Sequence, residues 1–69
     1  MRVKDLFEIT RSTDYTIENK NGRIKEQGYI DRNGYVATYS DYEDNLIIEI
    51  TTRFTIDEEA VLRVIIEEA

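Results

Sequence analysis

Residues 55–69 read TIDEEAVLRVIIEEA, and the fold class turns on how that stretch is read. Thr55 stands three residues before Glu58. This is the capping-box spacing, in which a threonine oxygen accepts a helix N–H and the glutamate reaches back. Asp57, Glu58 and Glu59 crowd the would-be first turn, where the helix dipole favours anions. The spacing predicts a helix from about residue 56 to the end. Val61, Leu62, Val64, Ile65 and Ile66 then give it more apolar surface than one face needs. Val61, Val64 and Ile65 form a core-facing stripe, and Leu62 and Ile66 fall four apart on a neighbouring one. A helix apolar on so much of its circumference is usually buried on more than one side. A two-fold dimer through Leu62 and Ile66 is the simplest cover; a wide core stripe accounts for the same pattern.

Before this stretch, LIIEITTRF (46–54) alternates, with Leu46, Ile48, Ile50, Thr52 and Phe54 inward and Ile47, Glu49, Thr51 and Arg53 outward. That is strand periodicity. Asn21-Gly22 and Asn33-Gly34 fit two-residue type I′ turns, which predicts a three-stranded antiparallel meander over 14–20, 23–31 and 34–40. In its middle strand Ile24, Glu26, Gly28 and Ile30 share a face. Glu26 is out of place there, and Gly28 points to a bulge or to a helix packed closely on the sheet. At the start, VKDLFEITR (3–11) puts Val3, Leu6, Phe7 and Thr10 on one helical stripe. The expected fold is one α+β domain over 1–69: helix, antiparallel sheet of three to four strands, C-terminal helix, with both helices on one face of the sheet.

Sixty-nine residues without cysteine or histidine exclude disulfides, thiolate zinc sites and the usual catalytic bases. Ser12 and Ser40 have no evident activator, and a chain this short offers paired carboxylates no cleft to surround a sugar. No enzyme and no cofactor is expected. Asp41, Glu43 and Asn45 imitate the start of an EF-hand loop, but Leu46 and Thr52 stand where glycine and glutamate are required, so no metal site is expected. Gly22, Gly28 and Gly34 are not spaced as a phosphate loop. No apolar run is long enough for a signal peptide or membrane span, and the chain reads as cytoplasmic.

The charge is uneven. Residues 1–35 carry seven basic and six acidic side chains, whereas residues 36–69 carry two basic and nine acidic. The acidic half argues against direct DNA binding and suits a partner with a basic surface. The candidate contact is GYVATYSDYEDN (34–45). Tyr35, Tyr39 and Tyr42 bring contact area at low entropy cost, and Asp41, Glu43 and Asp44 would meet arginines or lysines. Asp57, Glu58 and Glu59 would extend that charge if they lie nearby. The same stretch also reads as two tyrosines capping a thin core beside a solvated acidic loop. RNA stacking on Tyr29, Tyr35 and Tyr39, supported by Arg23, Lys25 and Arg32, is a further reading.

The opening MRVKDLFEITRSTDYTI (1–17) resembles the start of small phage and mobile-element proteins, in particular prophage anti-CRISPR inhibitors of type II-A Cas9. The matching residues are Asp5-Leu6 in the first helix and Asp14-Tyr15-Thr16-Ile17 opening the first strand. The resemblance covers about a quarter of the chain. It implies a DNA-mimicking inhibitor whose acids occupy the basic groove of a CRISPR effector nuclease, with Asp41, Glu43 and Asp44 as candidates by position. The alternatives are a homodimeric structural or regulatory module and a small RNA-binding module.

Overall fold

Residues Ala60–Ile66 form a strand, not a helix. The computed structural model describes residues 1–34 and 40–68. The elements are α1 (Val3–Glu8), β1 (Thr13–Glu18), β2 (Ile24–Ile30), β3 (Ile47–Phe54) and β4 (Ala60–Ile66). Val61, Val64, Ile65 and Ile66 are β-branched, a type that loses χ1 freedom in a helix and packs well on a pleated surface. Their apolar excess has a simple cause. β4 lies inside the sheet, order β2-β1-β4-β3, and both of its faces are covered. Val64 and Ile66 are fully buried on one face, and Val61 and Ile65 are 8% exposed on the other. Each such side chain contributes about 1.5–3 kcal/mol on burial. The expected C-terminal helix and the pair of helices on one face are therefore replaced by a mixed sheet with, among the described residues, one six-residue helix. β1 runs parallel to β4 and antiparallel to β2, and β3 runs antiparallel to β4.

Thr55 does bind a backbone amide, but inside a turn. Its Oγ1 accepts the Glu59 N–H at 3.2 Å. Thr55 N–H donates to Glu59 O at 3.0 Å, and Glu58 N–H to Thr55 O at 2.9 Å. The β1–β2 turn repeats this pattern. Asn19 N–H donates to Arg23 O and Gly22 N–H to Asn19 O, both at 3.0 Å, while Asn19 Oδ1 accepts the Arg23 N–H at 3.0 Å. Gly22, at φ 82°, holds the place that Glu58 holds at φ 63°. A type I′ turn needs two positive-φ residues, and Asn21 is not one of them. The Asn-Gly pair thus supplies one left-handed residue to a longer turn. Gly34, at φ 99°, closes a similar turn on Asp31 O at 3.1 Å. The expected strand 34–40 falls mostly on residues 35–39, outside the described residues.

The core lies between α1 and one face of the sheet. Val3, Leu6 and Phe7 from α1 cluster with Tyr15, Ile17, Ile30, Val64 and Ile66. Within β3 a register shift between Ile47 and Glu49 sends Ile47, not Ile48, against this cluster. Glu26 also finds its reason here. It sits on the core face, where it accepts the Tyr15 hydroxyl hydrogen bond at 2.7 Å. Gly28 makes room for the same ring, which packs on Phe7 with centroids 4.6 Å apart.

A Cβ at Gly28 would stand 2.9 Å from the Tyr15 hydroxyl oxygen and 3.1 Å from ring carbons. Gly28→Ala is expected to destabilise the fold by about 1–3 kcal/mol, the usual cost of overpacking. A lowered urea midpoint with unchanged slope would show it; an unchanged midpoint would mean the ring is not held there.

Candidate protein-binding surface

The β3–β4 turn is the most exposed apolar and acidic feature of the described chain. Phe54 is 68% exposed and Ile56 wholly so. Asp57, Glu58 and Glu59 follow, all exposed, and none has an ion-pair partner among the described residues. An apolar tip beside three unneutralised carboxylates combines an anchor that can be desolvated with a charge that selects a basic partner. The turn also carries strain. A non-glycine residue in the left-handed region costs roughly 1–2 kcal/mol, and Glu58 sits there where its counterpart turn uses glycine.

The loop 41–45 is committed to structure. The first N–H groups of α1 have no partner within the helix, and this loop supplies two: Val3 N–H donates to Asn45 O at 3.0 Å and Lys4 N–H to Glu43 O at 2.9 Å. Arg2 Nη1 donates to Asp44 O, and Lys4 Nζ pairs with Asp44 Oδ1 at 3.2 Å. Tyr42 is half-buried against the core. Glu43 is half-buried, with Oε2 enclosed and without a hydrogen-bond partner among the described residues. Asp41 and Asp44 remain exposed. Tyr35 and Tyr39 lie outside the described residues.

The two acidic groups do not join. The loop precedes β3 and the turn follows it. The eight residues of β3 at about 3.3 Å each hold the groups roughly 25 Å apart. Leu62 and Ile66 belong to β4, not to a helical stripe. Ile66 is fully buried in the core and Leu62 packs half-buried against it, so the dimer surface expected from a helix has no counterpart.

The opposite face of the sheet holds a residue that the sequence pattern does not single out. Glu18 is fully buried, and its Oε2 accepts from Arg53 Nη2 at 2.6 Å, Arg63 Nε at 2.9 Å and Thr16 Oγ1 at 3.3 Å. The hydrogen bond to Glu18 holds the Arg63 guanidinium above its ordinary pKa. Beside this cluster lies an open groove of about 510 Å³ lined by Asp14, Thr16, Gln27, Tyr29, Arg53 and Val61. Tyr29 is exposed there; Lys25 pairs with Glu68 at 3.5 Å and Arg53 and Arg63 share Glu18, while Arg23 and Arg32 are exposed and have no ion-pair partner among the described residues. Among the described residues no group of three His, Cys, Asp or Glu side chains could hold a metal ion, and no helix is long and apolar enough to cross a membrane.

Compared with models of known protein families, with characterised proteins and with solved structures, the chain finds no significant match.

Glu58→Gly should relieve the strained turn and raise stability by about 1 kcal/mol, read as an upward shift of the urea midpoint. A loss of stability would mean that the Glu58 side chain contributes to folding.

Proposed function

We propose that this chain is a small acidic inhibitor that binds a protein through the β3–β4 turn and occupies a basic, nucleic-acid-binding surface of that partner. The observation that carries the reading is Ile56, wholly exposed and followed directly by three carboxylates with no ion-pair partner among the described residues. A solvated surface needs acids but no apolar residue at its apex. A strained glutamate where glycine would serve is a further sign of use, since such strain clusters at functional positions. Asp41 and Asp44 are secondary candidates, because Asp44 is already paired to Lys4.

The resemblance of residues 1–17 to prophage anti-CRISPR proteins supports a CRISPR effector nuclease as the first target to try. In this chain most of the residues that carry it have structural work: Asp5 Oδ2 accepts the Arg2 N–H at 2.9 Å, and Leu6, Tyr15, Thr16 and Ile17 are buried, whereas Asp14 is exposed. The resemblance therefore bears on the partner and not on the contact residues.

The test is DNA cleavage by guide-loaded type II-A Cas9 with increasing amounts of the chain. Inhibition is expected, and it should weaken steeply as salt screens the acids. Replacing Asp57, Glu58 and Glu59 together by lysine should weaken it at least about tenfold, about 1.4 kcal/mol, whereas Asp41→Lys should change it less than about twofold. Cleavage untouched at every concentration would remove this target. Inhibition that survives the triple reversal would remove the turn as the contact.

A further inference from the structure

We propose that the corner of the core face where β3 ends and β4 begins is the seat for one amphipathic helix of the partner, with lysine or arginine in the turn of that helix that meets Asp57, Glu58 and Glu59. The inference rests on the reading of the β3–β4 turn as a protein contact and names the element that would meet it. α1 crosses the sheet diagonally. Its N-terminal end is held at the start of β3, where Ile47 N–H donates to Met1 O at 2.9 Å. The chain leaving it is held at the end of β2, where Ser12 N–H donates to Asp31 O at 3.2 Å. The start of β3 lies opposite the end of β4, and the end of β2 opposite the start of β1. A diagonal between those two corners misses Phe54 and Ala60. The helix is also short: its six residues rise about 9 Å, against roughly 14 Å between the outer strands of a four-stranded sheet.

Burial in β3 runs the wrong way round for a covered face. Ile50 lies opposite Val64 and Phe54 opposite Ala60, on the core side. Ile50 is nevertheless 45% exposed and Phe54 68%, and Thr52 and Ala60 are exposed with them. Thr51 and Arg53, on the other face, are half-buried. A sheet face of this kind lacks the layer that would bury it. Leu62, half-buried against the α1 cluster, borders the open corner, so an added helix would lie beside α1 in the same layer. The lengths agree: Ile50 to Phe54 spans about 13 Å of strand, and helix positions i and i+7 stand about 10.5 Å apart. One apolar stripe at i, i+3, i+4 and i+7 covers that distance. A strand added at the β3 edge would pair backbone groups and leave these side chains open, and Arg2 already bridges that edge at Leu46.

Charge selects the helix. The three acids lie between Phe54 and Ala60 in the chain, so they rim the apolar corner, with no ion-pair partner among the described residues. An uncharged helix end would desolvate carboxylates without pairing them, and an acidic one would be repelled.

The test is a titration of the isotopically labelled chain with a synthetic peptide, followed by amide shifts. The peptide has about 16 residues, enough to hold a helix, with leucine at i, i+3, i+4 and i+7 and lysines in its last turn. Saturable shifts are expected at Ile50, Thr52, Phe54 and Ala60. Phe54→Ser, an exposed change, should weaken binding at least about tenfold, and so should glutamates in place of the peptide's lysines. No shift at these residues up to millimolar peptide would overturn the proposal. So would equal binding of a scrambled peptide that cannot gather its leucines on one face, or indifference to the sign of its charge. Shifts at the same residues on concentrating the chain alone would assign the corner to a second copy and overturn it too. The cleavage assay separates this inference from the reading beneath it. If reversal of Asp57, Glu58 and Glu59 relieves inhibition and Ile50→Ser with Phe54→Ser does not, the turn stands as the contact and the helix seat falls. If Cas9 is not inhibited at all, that target falls and the peptide titration still decides the seat.

Discussion

β4 runs between β1 and β3, and the other elements take their positions from what they lay against that strand. The parallel register sets Tyr15 beside Leu62 and Ile17 beside Val64 on the core face, with Thr16 beside Arg63 and Glu18 beside Ile65 on the other. From that pairing the two faces follow. α1 covers the first with Val3, Leu6 and Phe7. The second has no helix among the described residues and protects Val61 and Ile65 with long polar side chains instead. A six-residue helix reaches β3 only at its start, where Ile47 packs on the cluster, which leaves Ile50 and Phe54 exposed although they lie on the core side.

Glu18 fixes this arrangement from the polar face. Its carboxylate comes from β1 and its arginines from β3 and β4, so one buried oxygen ties three strands together. A slip of one residue would turn Glu18 into the core and its apolar neighbours outward. Burying a charge in this way adds little net stability, because desolvation offsets the attraction, but losing either partner is costly. The cluster therefore acts chiefly on register. The turns divide similarly between folding and use. Both hairpins close with the same hydrogen-bond set; the β1–β2 turn fills the left-handed position with Gly22, and the β3–β4 turn fills it with Glu58. The acid is kept at the site where it costs most, beside an exposed isoleucine, and that contrast motivates a binding role for the second turn.

Much of the first two thirds was legible because its signals are local. The spacing of Val3, Leu6 and Phe7 marks α1, and the alternation of Tyr15 and Ile17 marks β1. The strands expected over 14–20, 23–31 and 46–54 agree to within two residues with those found. The C-terminal stretch was misread for two physical reasons. AVLRVII is apolar at both parities, so it satisfies a helical stripe and a doubly buried strand alike. And a threonine hydroxyl binding a backbone N–H is common chemistry to a helix N-terminus and to a turn. Its length of seven residues and its β-branched content were the signals that favoured a strand. For the site, sequence reasoning named Asp57, Glu58 and Glu59 but tied them to the wrong element and the wrong neighbours. Ile56 was passed over because a helix would have made it ordinary. Glu18 could not be read at all, since its arginines lie 35 and 45 residues away along the chain.

The most direct test of this account is the nuclear Overhauser pattern of residues 57–66 in the isotopically labelled chain. A strand at the sheet centre predicts contacts between the backbones of Ile17 and Val64 and of Thr52 and Leu62, with the amides of 61–66 among the slowest to exchange. A series of contacts from each Hα to the amide three residues on, running through 57–66, would mean that the stretch is helical, and the mixed sheet and the acidic turn would both be withdrawn with it.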